Sequence, residues 1–344
     1  MLQKDRSIVK LSTLLPFLLH EFKSDADLIK AIEEISLKFT KERNKIGDYL
    51  KDPRLVSAYT AFYLLTNIPK LEAVLKWLPD EWVDELKKCD FIDLGAGPGT
   101  FSLAWKSLIS DSVDFYQIEQ SVLMKEQGKK IWNGLYSDKL FQGSKWEWNT
   151  PKEKFLLFGH SANEMGAEVA AQYIDKINPQ HILFIEPGTK DFFPEMLKIR
   201  QYLLENGYST LYPCPNQEAC PMKGSEDWCH QFIQIKQDDE IERISQMARK
   251  DRKLLPLTVH AYSRTFKTQN PSERLVRVLP ETKFSFEWEV CHENKLEHYQ
   301  VMKRDLSKQE SKELSSILAG AKLETEVVKT LEKSKRVKIK STDT

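Results

Sequence analysis

A glycine-rich segment directly after a short apolar run is the feature that most constrains the fold of this chain. The run Phe91–Leu94 leads into Gly95, Gly97 and Gly99, and Phe101–Ile109 then has helical character. The glycines allow the backbone to turn sharply and approach a ligand, and the following helix presents unpaired amides. The order of the glycines differs from the dinucleotide fingerprint and from the P-loop. The segment predicts a strand, a tight turn and a helix around a small ligand.

The alternation of strand and helix continues downstream. Further strand patterns occupy residues 113–119, 155–158 and 181–186, and helical patterns occupy 121–134, 163–177 and 191–206. Strands that alternate with helices predict a parallel, doubly wound α/β sheet. Residues 24–87 have helical periodicity broken by prolines, and the apolar patch at 11–19 predicts a buried helix rather than a membrane span.

These patterns divide the chain into four predicted regions. Residues 1–88 form a helical region, and 89–210 form an α/β domain that binds a cofactor. Residues 211–305 form a cysteine-rich, metal-binding segment with the closing strands of the sheet, and 306–344 form a helix and a basic tail. The tail contains five cations: Lys333, Lys335, Arg336, Lys338 and Lys340. It is either a solvated, disordered end or a segment that binds phosphates.

Composition excludes little by itself. Basic and acidic residues balance at 51 each, so net charge predicts neither a nucleic-acid binder nor an acidic partner. No secretory or membrane segment is recognisable, so we expect a bacterial cytoplasmic protein with reduced thiols.

Two acidic residues accompany the glycine-rich segment. Asp93 lies within the first strand, and Glu119 ends the next strand, where a ribose needs an acceptor. We predict that Asp93, Gly95, Gly97, Gly99 and Glu119 bind the cofactor. The pattern resembles the S-adenosylmethionine site of class I methyltransferases. This resemblance implies that the glycines pack under the methionine part and that Glu119 binds the ribose.

Four of the five cysteines form a candidate metal site. Cys214, Cys220 and Cys229 fall within sixteen residues, and Cys291 follows much later. Four soft thiolates suit tetrahedral zinc or a [4Fe–4S] cluster. The wide spacing and the Cys-Pro steps favour iron–sulfur.

Other residues leave a zinc alternative open. His230 and His292 each follow a cysteine, so a site with three cysteines and one histidine is also compatible with the sequence. Cys89, before the first strand, is predicted to be a small buried apolar residue.

Three further stretches, taken in order, resemble one family. They are Phe184–Thr189, Cys214-Pro215 to Cys220-Pro221, and Asp227–His230. Together they are similar to the Rsm-type family of mitochondrial small-ribosomal-subunit assembly proteins and their bacterial relatives, across residues 57–304. The resemblance implies that the four cysteines hold a [4Fe–4S] cluster and that the chain binds the RNA and proteins of the small ribosomal subunit. Asn216 stands where the family usually has histidine.

The sequence predicts no catalytic residue. The segment after the fourth strand, Gly159–Glu164, lacks the Asn/Asp-Pro-Pro-aromatic motif of amino-methyltransferases. Asn163, Glu164 and Glu186 either line a substrate side or cap and pack helices, and His160 is more typical of a structural histidine. We predict an S-adenosylmethionine-binding, methyltransferase-like protein of ribosome assembly or rRNA methylation, without DNA or membrane partners. The alternatives are a non-catalytic assembly factor and a small-molecule methyltransferase with structural zinc.

Overall fold

The chain folds into amino-terminal helices, a helix-covered sheet and a carboxy-terminal β-barrel. The computed structural model describes residues 9–40, 50–109, 112–250, 253–267 and 273–343.

Short helices occupy the amino-terminal region. They are α1 (Leu11–Leu14), a 3₁₀ turn (Leu15–Phe17), α2 (Asp25–Thr40), α3 (Pro53–Tyr59), a π turn (Thr60–Leu64), α4 (Leu65–Leu75) and α5 (Asp80–Leu86). The sequence predicts a break at Pro69, but this residue lies inside α4. Its missing amide costs one hydrogen bond, and the full burial of Leu71 and Val74 holds the helix in place.

The central sheet contains eight strands. They are β1 (Asp90–Leu94), β2 (Phe115–Ile118), β3 (Leu140–Gly143), β4 (Lys154–Gly159), β5 (His181–Pro187), β6 (Ser209–Tyr212), β7 (Gln231–Gln234) and β8 (Leu254–Ser263). The helices between them are α6 (Thr100–Leu108), α7 (Val122–Leu135), α8 (Ala162–Ile177), α9 (Phe193–Glu205) and α10 (Asp239–Met247).

The strand order is β3-β2-β1-β4-β5-β8-β6, with β7 also paired to β8. Strands β1 to β5 are parallel, and β8 runs antiparallel to β5. The sheet is therefore the doubly wound, class I methyltransferase-like α/β fold predicted from the sequence. Parallel strands buried on both faces read as apolar runs, and all five residues of β1 are buried.

Strand β8 continues the sheet beyond β5. The sequence predicts closing strands of the sheet within residues 211–305, the range in which β7 and β8 lie, and β8 pairs with β5 from His181 to Pro187. Pro256 argues against a strand, but it lies on the stretch of β8 that pairs only with the four-residue strand β7.

The remaining strands form a closed barrel. Strands β9 (Glu273–Leu279), β10 (Ser285–His292), β11 (Lys295–Met302), β12 (Lys322–Thr330) and β13 (Lys335–Asp343) form it, in the order β9-β10-β11-β13-β12. Helix α11 (Lys308–Leu314) connects β11 to β12.

The predicted basic tail is strand β13. It lies between β11 and β12, and Val337 is buried in the barrel core. Its lysines and arginine alternate with Val337 and Ile339, which is the period of a half-buried strand. The barrel core also buries Trp288 and Tyr299 completely.

Candidate functional site

A cavity of about 430 Å³ opens at the carboxyl ends of β1, β2 and β4. Its walls come from the glycine-rich loop, the turns after β2 and β4, and the amino-terminal helices through Tyr59 and Asn67. The crevice at the carboxyl ends of the strands is where doubly wound sheets bind their ligands.

The glycine-rich loop forms one wall of the cavity. Gly95 has a φ of +71°, and a Cβ there would lie 2.4 Å from the Cβ of Ser161. Gly97 has a φ of +53°, and a Cβ there would meet no atom within 4 Å. Gly95 is therefore required by close packing, whereas Gly97 leaves its backbone open to a ligand.

Glu119 faces the same cavity from the end of β2. Its Oε2 accepts a hydrogen bond from the Gly97 amide at 2.9 Å, and its Oε1 accepts one from the Ser121 amide at 2.7 Å. Each carboxylate oxygen retains a lone pair for a further donor. The carboxylate thus holds the loop and presents acceptors to the cavity.

Asp93 and Gly99 do not line the cavity, unlike the other three predicted cofactor residues. Asp93 is buried, and its Oδ2 accepts from the amide and the hydroxyl of Ser102 at 3.0 and 2.8 Å. Burial raises the pKa of Asp93 to about 7, although the bonds from Ser102 oppose the shift. A Cβ at Gly99 would lie 2.5 Å from the side chain of Gln117. We reassign both residues from ligand contacts to positions that fix helix α6 beneath the loop.

A second cavity, of about 700 Å³, adjoins the first. The two share four lining residues: Tyr59, Asn67, His160 and Glu164. The turn after β5, Pro187–Thr189, forms another part of its wall. A molecule bound in the second cavity would therefore lie beside a molecule bound in the first.

Titratable side chains meet where the cavities join. The Nε2 atom of His160 lies 2.8 Å from the Nζ atom of Lys70, which is buried in α4. Glu164 lines both cavities, and the surrounding protein and then the charge of Glu119 raise its pKa.

Glu186 serves the fold rather than the cavity. It is fully buried, and its carboxylate accepts from the amides of Ser161, Ala162 and Asn163 at 3.0, 2.9 and 3.3 Å. These are unpaired amides at the start of α8. Glu186 therefore anchors α8, and the same contact engages the backbone of Asn163.

The four candidate metal ligands line one small cavity between the sheet domain and the barrel. Cys214, Cys220 and Cys229 lie in the irregular segment that joins β6 to β7, and Cys291 lies on β10. Folding thus brings Cys291 to three thiols that are distant in sequence. Cys89 lies elsewhere and is buried, as predicted.

Cationic and amide groups surround these thiols. The Nε atom of Arg200 lies 3.3 Å from Cys214 Sγ, and the Nε2 atom of Gln231 lies 3.7 Å from Cys229 Sγ. Burial, and then the nearby Cys214, Cys220 and Cys291, raise the pKa of the Cys229 thiol. The site therefore disfavours four free thiolates.

His230 and His292 do not line the cysteine cavity. The ring of His230 stacks on Trp228, and Nδ1 of His292 lies 3.8 Å from a carboxylate oxygen of Glu297. Asn216 supports the segment through its side chain, which accepts from the Glu218 amide at 2.8 Å.

The sequence stretches that pointed to a family meet in space. The indole Nε1 of Trp228 donates to the carbonyl of Gly188 at 3.1 Å. A Cβ on Gly188 would lie 2.8 Å from the Leu257 amide nitrogen and 3.1 Å from the Cβ of His230. The turn after β5 and the cysteine segment therefore pack so closely that only glycine fits at position 188.

A family model described as mitochondrial small ribosomal subunit Rsm22 matches residues 53–310, well over half of the chain. The chain belongs to the Rsm22 family. The match includes the glycine-rich loop, Glu119 and all four clustered cysteines. The family predicted from the sequence is thereby confirmed.

Solved structures of methyltransferases are similar to this Rsm22-family chain at low sequence identity. Magnesium protoporphyrin IX methyltransferase from Synechocystis PCC 6803 with bound SAM is 11% identical, with a TM-score of 0.38, covering 71% of this chain and 99% of that one. Ribosomal protein L11 methylase from Lactobacillus delbrueckii subsp. bulgaricus is 15% identical, with a TM-score of 0.28, covering 40% and 68%. Precorrin-6y C5,15-methyltransferase from Geobacter metallireducens is 12% identical, with a TM-score of 0.35, covering 56% and 87%. The curated proteins include no match to the chain.

Across the described residues, none of the helices combines the length and the apolar character that crossing a bilayer requires.

Sequence reasoning missed several residues at the Rsm22-family site. Lys70 and Asn67 line the second cavity, and Arg200 contacts the cysteine cluster. A signal exists for the first two, because they are polar residues on the buried face of an otherwise apolar helix. Arg200 carries the same signal on α9, where it lies on the buried face with Met196 and Leu203, but its contact with the cysteines depends on a segment further along the chain.

Proposed function

We propose that this Rsm22-family protein binds S-adenosylmethionine in the first cavity and acts on the RNA of the small ribosomal subunit during assembly. We further propose that Cys214, Cys220, Cys229 and Cys291 hold a [4Fe–4S] cluster. The observation that carries the proposal is the placement of Gly97 and Glu119 in one cavity at the strand ends of a class I methyltransferase-like sheet.

Several contacts support S-adenosylmethionine. The carboxylate of Glu119 presents acceptors for ribose hydroxyls, and the open backbone at Gly97 allows close approach of the methionine part. The cavity volume of about 430 Å³ falls within the usual range for small-molecule sites. When bound, the cofactor would supply an electrophilic methyl group.

The grouping of the thiols supports a bound cluster. All four cysteines line one cavity, and four thiolates satisfy a [4Fe–4S] cluster in which each cysteine binds a different iron. The N–H groups of Arg200 and Gln231 would donate to the cluster-bound sulfurs.

The second cavity is the candidate substrate side. It adjoins the cofactor cavity through His160 and Glu164, and Glu164 is the group placed to accept a proton from a target amine. The family supports the small ribosomal subunit as the partner.

One observation favours the second candidate, an assembly factor without methyl transfer. Glu186 is committed to three amides of α8, and the backbone of Asn163 is one of its partners. The Glu186 side chain is thus held by the fold where an amino-methyltransferase would orient its target. Cofactor binding would then stabilise the fold on RNA.

Calorimetry and subunit assays test the proposal together. We expect wild-type protein, purified without oxygen, to bind S-adenosylhomocysteine and to co-sediment with immature small subunits. Methylation of those subunits with radiolabelled S-adenosylmethionine would favour the enzyme, and binding of both ligands without methylation would favour the assembly factor. Failure to bind the cofactor, or failure to bind the subunits, would contradict the proposal.

A further inference from the structure

The carboxy-terminal barrel has a second candidate binding surface. Its strand order β9-β10-β11-β13-β12, the parallel pairing of β11 with β13, and the helix between β11 and β12 are the arrangement of an OB-fold. In that fold, the second and third strands and the loops beside them bind oligonucleotides or oligosaccharides. We propose that the outer face of β10, β11 and β13 binds single-stranded RNA. The proposal deepens the proposed function and depends on it for the source of the RNA, the small ribosomal subunit.

A groove occupies the predicted position on this face. It has a volume of about 580 Å³ and lies between the loop before β10 and the starts of β10 and β13. Glu287, Gln300 and Arg336 line it from three neighbouring strands. Alternate residues such as Trp288 and Val301 point inwards and are buried in the barrel core. The groove is therefore the outer surface of a filled barrel.

The groove carries excess positive charge. Lys283, Lys303, Arg304 and Arg336 line it, against the single carboxylate of Glu287. That carboxylate is buried and accepts from Ser285 and from His298, whose Nε2 lies 2.6 Å away. Its charge is thus engaged by the protein. Lys303 pairs with Glu281 at 3.0 Å, and Arg304 pairs with Asp305 at 3.6 Å at an exposed position. Exposed pairs are weak, so Lys283, Arg304 and Arg336 remain cations for phosphates.

Arg336 shows an unmet hydrogen-bonding capacity. Its Nε is buried and has no hydrogen-bond partner among the described residues. Arg336 also lines the groove, and a guanidinium in that place can donate to a phosphate or a base edge.

An exposed aromatic ring lies at the rim of the groove. Phe284 is 66% exposed. It is the one aromatic residue among the exposed large apolar side chains that the structure describes, and Lys283 precedes it. Bases of single strands stack on such rings, whereas bases in a duplex are already stacked on each other. One aromatic ring among several cations suits RNA better than a protein partner, whose interface would have an apolar core depleted of charge.

Fluorescence anisotropy with a labelled oligouridylate of about ten nucleotides tests this surface, because one OB-fold covers about 4 to 16 nucleotides. The groove variant is the double substitution Lys283→Gln and Arg304→Gln, at two exposed side chains. The matched control is Lys88→Gln with Lys176→Gln, which removes the same charge from exposed positions at the amino ends of β1 and β5. Phe284→Leu keeps the apolar surface and removes the ring.

We expect the groove variant to bind the oligonucleotide at least tenfold more weakly, with a salt slope reduced by about 1. Phe284→Leu should bind at least fivefold more weakly. The control should match the wild type, and a duplex of the same length should bind more weakly than the single strand.

Equal binding of single strand and duplex, or unchanged affinity in the groove variant, would overturn the proposal. The proposal would also be overturned if the groove variant lost binding to ribosomal proteins but bound naked RNA as the wild type does. That result would assign the groove to a protein partner. Calorimetry with S-adenosylhomocysteine on the same variants should give wild-type affinity. A failure of cofactor binding in the wild type would contradict the proposed function and leave the RNA result intact.

Discussion

At the scale of single residues, Gly97 offers a sharp test of the cofactor cavity. We expect Gly97→Ala to weaken binding of S-adenosylhomocysteine at least tenfold in calorimetry, because the added Cβ would project into open space beside the loop. Its φ of +53° also costs about 1 kcal/mol of stability with any side chain.

A control variant separates backbone strain at a positive φ from blocking of the cofactor cavity by the added Cβ. Gly207 has a φ of +80°, and a Cβ there also meets nothing within 4 Å, but it follows α9 away from the cavity. Gly207→Ala should lose similar stability and keep wild-type affinity. Equal affinity in both variants would remove Gly97 from the binding site.

The raised pKa of Glu186 makes the free energy of unfolding depend on pH. Burial raises its pKa to about 8, above the ordinary value of 4.5, although three amides oppose the shift. The folded protein therefore keeps a proton that the unfolded chain releases. This contribution to the free energy of unfolding is fully present below about pH 4.5 and is lost as the pH rises to about 8, by at most about 1.4 kcal/mol per pH unit. Urea unfolding of the wild type and of Glu186→Gln at several pH values measures it, and the variant should have a flatter profile.

Glu195 provides the comparison for Glu186. It also accepts from an amide of α8, that of Ala167, at 3.0 Å. A hydrogen bond from Lys198 lowers the pKa of Glu195, so it titrates below this pH window. Glu195→Gln should leave the slope unchanged. A Glu186→Gln profile parallel to the wild type would show that Glu186 is ionised in the folded protein.

At the scale of elements, we expect the proposed metal site to couple binding to the local folding of the cysteine segment. Four thiols from an irregular segment and one strand meet in one cavity, where few backbone hydrogen bonds order the segment. We expect Cys229→Ser to lose most iron and sulfide and to become less soluble, because binding energy here is folding energy. Iron, sulfide and zinc analysis of protein purified without oxygen measures the effect.

Cys89→Ala is the control for the cysteine segment. Cys89 is a buried thiol that lies before β1, beside Glu153 and His181 and outside the cysteine cluster. It should retain wild-type metal and solubility. One zinc per chain without sulfide in the wild type would replace the cluster by a structural zinc site, and metal-free, soluble Cys229→Ser protein would contradict the coupling.

At the scale of the whole molecule, the barrel and the sheet are joined through the cysteine region. The guanidinium of Arg274 on β9 donates to the carbonyls of Pro213 and Gly320, at 3.0 Å in each case. Asp227 in the cysteine segment forms an ion pair with Arg277 on the same strand. Damage to the barrel should therefore reach the metal site.

Deletion of residues 332–344 tests this connection. It removes β13, which separates β11 from β12, and would expose Trp288 and Tyr299. We expect faster hydrogen exchange in β10 and β11 and a loss of metal, because Cys291 lies on β10. Exchange in β1 and β4 should stay slow, since the sheet has its own core.

A second variant separates the loss of strand β13 from the loss of its basic side chains. Lys338→Gln with Lys340→Gln removes charge from exposed positions of β13 and keeps the strand. It should retain slow exchange and normal metal content. Slow exchange after the deletion would mean that the barrel does not need β13.

The sequence anticipated features whose physical cause is local. The glycine-rich loop, Glu119 and the strands around them follow from backbone sterics and from periodicity over a few residues. Local patterns did not determine the orientation of the Asp93 side chain. An acid beside the loop suits a ligand contact, but its orientation depends on Ser102, nine residues later, once α6 has packed. The sequence patterns did not identify strand β8, whose pairing with β5 is decided by tertiary structure.

By itself, the sequence determined the class of fold, the family, the cavity-facing loop residues and the identity of the four clustered thiols. Only the tertiary structure decided that the basic end is a strand, that five strands close into a barrel, and that Cys291 reaches thiols more than sixty residues earlier. The physical reason is the distance along the chain over which each interaction acts. Glycine conformation, helix period and thiol chemistry act within a few residues, whereas barrel closure and cavity lining depend on pairings between distant segments that share one buried core.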